Sequence, residues 1–106
     1  MSDTSTPMAN NEGAVRLRAD SHLQFSPLHR LQWEKAQRKY VILYPEGMVE
    51  LNLSAAEILK LCDGRNLDNL VATLEAQFET TDLINDVTEF LEIALANGWI
   101  RQSSVQ

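Results

Sequence analysis

The chain contains one cysteine, Cys62, among 106 residues. A single thiol excludes an internal disulfide framework and fits a reducing compartment. The four glycines stand apart at positions 13, 47, 64 and 98, so no glycine-rich phosphate loop can be built from them. The two histidines, His22 and His29, form no His-x-x-x-His pair, and there is no Cys-x-x-Cys. The converging ligands of a metal site are therefore missing. No apolar run approaches the ~20 residues of a membrane-spanning helix, and the opening MSDTSTPMANNEG has neither the basic nor the apolar stretch of a secretion signal. Together these absences predict no catalytic residue, no cofactor, no metal and no membrane, in a protein of the cytoplasm.

Positive charge is withheld most unevenly. Between Arg65 and Arg101 there is no Lys or Arg, yet Asp68, Glu75, Glu79, Asp82, Asp86, Glu89 and Glu92 all fall there. The net charge is −6 and the pI about 4.7. Nucleic acids and anionic membranes are bound largely by basic residues meeting phosphate, so neither is an expected partner. The segment before the acidic run holds Arg30, Lys35, Arg38, Lys39 and Lys60, a contrast that can orient a protein partner. Cys62 lies on an apolar stripe, where a cysteine is core material and not a nucleophile.

What remains is a small binding fold. Residues 1–24 are rich in Ser, Thr, Asn and Asp and are expected to be a disordered arm. Residues 25–102 form the expected domain, and residues 103–106 should fray. Three strands are predicted at residues 28–35, 39–45 and 48–53. The middle one, KYVILYP, carries apolar residues on both faces and belongs in the centre. Short connections make the three an antiparallel meander, with Pro45 ending the second strand and Gly47 free to take positive φ. The period then changes from alternating to helical. Ser54 and Glu57 read as a capping box for a first helix, with Leu53 as its staple residue and Asp63-Gly64 as its end. A second helix spans about residues 68–78. A third spans about residues 83–97, with Asp82 a candidate cap and Gly98 the stop, and WIRQ can add a short extended piece. The fold class is α+β, a three-stranded antiparallel meander followed by three helices, winged-helix-like in plan.

The third helix has more apolar surface than a domain this small needs. Ile84, Val87, Leu91, Ala94 and Leu95 suffice for packing, and Leu83, Phe90 and Ile93 form a second strip flanked by Asp86 and Asn97. Two readings stand: a wider buried face, or one wall of a groove whose other wall is the open edge of the third strand. An extended peptide could join that edge as a fourth strand.

The string RKYVILYPEGMVELNLSAAEILKLCDGRNLDNLVATLEAQF, followed by DVTEFLEIALANGWI, resembles the pyrroloquinoline quinone biosynthesis protein D (PqqD) family. The resemblance covers about residues 27–101. The marks are LYPEG, ELN, AAEILKLCDG, and FL with NGWI a short distance on. One departure is Asn66-Leu67, where a Ser or Thr cap is expected; Asn66 can take over that cap. The resemblance implies a peptide chaperone, a recognition domain for ribosomally made, modified peptides. It would hold the precursor peptide PqqA and present it to the radical S-adenosylmethionine enzyme PqqE. Carried onto this chain, the peptide site comprises Met48, Val49, Glu50, Leu51 and Asn52, with Asp86, Phe90, Ile93 and Asn97 beside them. Some family members form dimers, so a homodimer is among the implied assemblies.

Two alternatives compete. A winged-helix DNA-binding regulator needs a basic recognition helix, and the second and third helices hold no Lys or Arg. A module that docks on a larger enzyme without holding peptide would use Arg30, Lys35, Arg38 and Lys39 as its contact surface.

Overall fold

A computed structural model describes residues 16–18 and 20–103. The meander forms as expected: β2 (Arg30–Glu34), β3 (Lys39–Tyr44) and β4 (Gly47–Leu51) pair antiparallel in the order β2-β3-β4. Val41 and Ile42 are both fully buried, one on each face of the central strand. Leu31, Ile42 and Val49 lie side by side across the three strands, as do Trp33, Tyr40 and Leu51. This is the face on which the helices pack. Gly47 has no positive φ; the left-handed residue of the meander is Arg38, in the loop between β2 and β3.

α1 (Leu53–Lys60) begins two residues earlier than a Ser54 cap allows. The N-cap is Asn52, whose Oδ1 accepts the Ala55 N–H at 2.7 Å, so no Ser54 capping box forms. Asn52 outranks Ser54 because β4 ends on buried Leu51, and the chain is still extended at the next residue. The Asp63-Gly64 stop is also different. α1 ends at Lys60 with Leu61 as its C-cap, and Asp63–Asn66 is a strand, β5. Gly64 has φ +109° where β5 loses register against its neighbour, so its conformational freedom serves a bulge and not a helix cap.

β5 belongs to a second sheet that sequence patterning did not reveal. Its centre is β1 (His22–Phe25), flanked by β5 and by β6 (Ile100–Ser103). The arm expected over residues 1–24 is thus structured from His22. Leu23 is fully buried, and Gln102 ties down the chain before it, donating to the Arg16 carbonyl at 2.6 Å and accepting from the Arg18 N–H at 2.9 Å. Residues 1–15 of the expected arm and 104–106 of the expected tail lie outside the described residues, while Ser103 is in β6. The extended piece foreseen at WIRQ is β6.

α2 (Leu67–Phe78) is capped by Asn66, which accepts the Asn69 N–H at 2.9 Å. α3 (Ile84–Ala96) has no side-chain cap of its own: Asp82 sits at φ 64° and does not bond the helix. Its partner comes from α2, where the Glu75 carboxylate accepts the Leu83 N–H at 3.0 Å. At the far end Gly98 takes φ +77°, with Gly98 N–H donating to Leu95 and Trp99 N–H to Ala94, a Schellman closure. Val87, Leu91 and Ala94 of α3 enter the core with Leu59, Leu70 and Leu74. Ile84, expected among them, is 40% exposed at the first residue of the helix.

Candidate functional site

Among the described residues no strand pairs with the outer edge of β4. The turn between β3 and β4 has two residues, Pro45 and Glu46, and sets Tyr44 opposite Gly47. So short a connection makes Tyr44–Gly47 a hydrogen-bonded pair, and antiparallel alternation extends that character to Ile42–Val49 and Tyr40–Leu51. The N–H and C=O groups of Met48 and Glu50 then point to the unpaired side. Two donors and two acceptors are available there to another chain.

Beside the end of this edge lies a cleft of about 410 Å³. Its walls are Asn52, Ser54, Ala55 and Ile58 from the start of α1, Leu74 and Phe78 from α2, and Leu83, Asp86, Val87 and Phe90 from α3, with Thr80 at the turn between. The walls are held by specific bonds. Glu57 of α1 accepts from Gln77 of α2 at 2.7 Å and from Lys60 at 2.9 Å. Those two donors, Lys60 first, hold the Glu57 carboxyl below its ordinary value. Lys60 also lies 4.3 Å over the Tyr40 ring, and its ammonium is pushed up by Tyr40 and Glu57. Arg65 grips Asp63 through two nitrogens, at 2.9 and 2.8 Å, and reaches Asn69 and Thr73 of α2. That grip lowers the Asp63 carboxyl, chiefly through the hydrogen bonds from Arg65.

The residues expected at the peptide site divide into four groups. Asn52, Asp86 and Phe90 meet in the cleft. Met48 and Glu50 stand exposed on the strand, their side chains on the face away from the helices, where Glu50 accepts from Lys39 at 3.1 Å. Val49 and Leu51 face the core, and Leu51 is only 7% exposed. Ile93 and Asn97 continue the line of Asp86 and Phe90 along α3 but lie beyond the cleft. Ile93 is 49% exposed, and Asn97 donates its side-chain amide to the Ile93 carbonyl at 2.9 Å. The contributions of α1 and α2 were missed from sequence. Phe78, 42% exposed at the last residue of α2, was the available signal.

Of the basic residues considered for docking, Arg30 opens β2, whereas Lys35 and Arg38 sit in the loop at its other end. Lys39 is engaged with Glu50. The four do not form one patch. Cys62 is buried, its thiol donating to the Ile58 carbonyl at 3.6 Å and pushed up to about 12, first by burial. No group of His, Cys, Asp or Glu among the described residues is arranged to hold a metal, and none of their helices is long and apolar enough to cross a membrane.

An open sheet edge beside an apolar cleft, in a small α+β domain, is the geometry of a surface that can take an extended chain. The chain belongs to the PqqD family: residues 39–100 match the profile described as "Coenzyme PQQ synthesis protein D (PqqD)". A relative from Methylococcus capsulatus, named "PqqA binding protein", is 56% identical over 83% of this chain and 96% of its own. Another of that name, from Acinetobacter baylyi, is 49% identical over 72% of this chain and 79% of its own. The fold is that of the solution NMR structure of the PqqD truncation of Methylobacterium extorquens PqqCD, described as a stand-alone recognition element for ribosomally synthesized, post-translationally modified peptides. The match has a TM-score of 0.69 at 22% identity, covering 85% of this chain and 98% of that one.

Proposed function

We propose that this protein is a peptide chaperone of pyrroloquinoline quinone biosynthesis. It holds the precursor PqqA as an added strand on β4 and presents it, in the cytoplasm, to the radical S-adenosylmethionine enzyme PqqE. The observation that carries the reading is the free edge at Met48 and Glu50 running into the cleft of Asn52, Asp86 and Phe90. The names of the relatives point to the same ligand.

The magnitudes suffice. Four ladder bonds contribute roughly 1 kcal/mol each, and two or three buried apolar side chains roughly 1.5–3 kcal/mol each. Ordering the peptide and losing its free motion costs about half of that sum. The remainder, about 3.5–6.5 kcal/mol, corresponds to a reversible hold in the millimolar to tens-of-micromolar range without any covalent chemistry. A DNA-binding reading finds no cation on α2 or α3.

An amide NMR titration with PqqA peptide tests the proposal. Shifts should concentrate at Met48–Asn52 and along α3 from Asp86 to Asn97. Glu50→Pro should abolish binding while the protein stays folded, because Glu50 spends no N–H on β3. Unchanged affinity in that variant would sink strand addition, and no shifts at saturating peptide would leave a docking module as the better reading.

A further inference from the structure

Resting on the strand-addition reading, we propose that the held peptide carries a lysine or arginine on its helix-facing side, paired with Asp86. Asp86 is the one charged residue among the cleft's walls, in company with Ala55, Ile58, Leu74, Phe78, Val87 and Phe90. Other carboxylates around it are engaged: Glu57 with Lys60 and Gln77, Glu75 with the Leu83 N–H, Glu92 with the Leu17 N–H. Among the described residues Asp86 makes no hydrogen bond or ion pair with a side chain. Among the described residues no cation is placed to satisfy it. The run from 66 to 100 contains none, Lys60 is held by Glu57, and Arg65 by Asp63.

Asp86 stands in the first turn of α3, where a carboxylate favours the helix dipole. That role requires no particular face of the helix, and Asp86 occupies the one lining the cleft. A peptide covering it would strip water from an unpaired carboxylate, a cost that only a cation or strong donor offsets. An apolar residue at that point of the peptide is therefore rejected and a basic one accepted, which makes Asp86 a specificity determinant. Side chains of an added strand alternate. The basic residue consequently lies an even number of positions from the apolar residue that fills the cleft, its methylenes over Phe90 and its charge on Asp86. Glu79, Asp82 and Glu89, with no intervening cation, add to the negative field that draws it in.

Calorimetric titration of the full chain with PqqA peptide tests this, using single Lys or Arg→Gln and →Glu peptides. Asp86→Asn should weaken the parent peptide by about five-fold at low salt, less at high salt. One basic position of the peptide should become silent to →Gln in that background. Asp86→Lys should weaken the parent further and regain affinity with the matching →Glu peptide. Equal affinity of Asp86→Asn and wild type for every peptide, or a loss in Asp86→Lys that no peptide restores, overturns the pairing. The peptide substitutions leave the protein untouched, so a folding defect cannot imitate the exchange. Glu50→Pro, run alongside, separates the two readings: its unchanged binding counts against strand addition, while its loss with a silent Asp86 counts against the pairing alone.

Discussion

The Glu75 carboxylate of α2 accepts the Leu83 N–H at 3.0 Å and so caps α3 from a neighbouring helix. Leu83 and the turn that follows it line the cleft, so this bond sets the position of one of its walls. Glu75→Ala should cost about 1 kcal/mol of unfolding free energy, the worth of a lost N-cap. Glu75→Gln, which keeps an acceptor without the charge, should cost less. Urea denaturation of the two variants beside wild type checks the order, and equal stability of all three would refute it.

The same logic separates Asn52 from Ser54. Asn52 accepts the Ala55 N–H, so Asn52→Ala should lose about 1 kcal/mol. Ser54→Ala should be within a few tenths of neutral, since its hydroxyl caps nothing in α1. Thermal melts of the pair decide between the two caps.

Glu79 ends α2 at φ 55°, in the left-handed region, with its N–H donating to the Ala76 carbonyl and that of Thr80 to Glu75. Glycine meets that geometry without a Cβ penalty. Glu79→Gly should raise stability by up to about 1 kcal/mol, the left-handed strain removed being partly offset by the freer unfolded chain. A lower denaturation midpoint would contradict the strain.

Cys62 links pH to stability at the alkaline end. Its thiol is raised from 9.0 to about 12 in the folded state, mainly by burial, so the unfolded chain ionises first. The contribution is intact below pH 9.0 and is lost progressively as pH rises toward about 12. Stability should therefore fall more steeply over that window in wild type than in Cys62→Ala. The folded protein should also resist thiol alkylation at pH 8 or so, where unfolded thiols react.

At the sheet edge, Met48→Pro should resemble Glu50→Pro, leaving the fold intact and removing peptide binding. Leu51→Pro should unfold the protein, because Leu51 pairs inward with Tyr40 and is buried. Circular dichroism of the three variants distinguishes an outward from an inward N–H at each position.

Short-range pattern was enough for the meander and for three helices. Alternation in KYVILYP, a two-residue turn at Pro45-Glu46, and apolar residues at helical spacing each act between neighbours in the chain, and all appear in the structure. The open edge of β4 was legible for the same reason, since a meander that ends in a helix leaves its last strand unpaired. The second sheet was not legible. β1, β5 and β6 have only four residues each, and their partners lie about 40 to 80 positions away in the chain. Leu23 and Phe25 in β1, none in β5 and Ile100 alone in β6 are too little pattern to mark strands, and backbone bonds to distant segments leave no trace in local composition. The caps followed a similar rule: Asn66 was identifiable, but Glu75 reaches Leu83 only once α2 and α3 have packed. The sequence by itself determined the elements, the lack of cations after Arg65 and the spare apolar strip on α3. Tertiary packing alone decided that α1 and α2 complete the cleft, that Leu51 belongs to the core, and that Asp86 lines the cleft with no side-chain partner among the described residues. Burial and electrostatic pairing are properties of what lies across space, and residue order specifies them only through the folded chain.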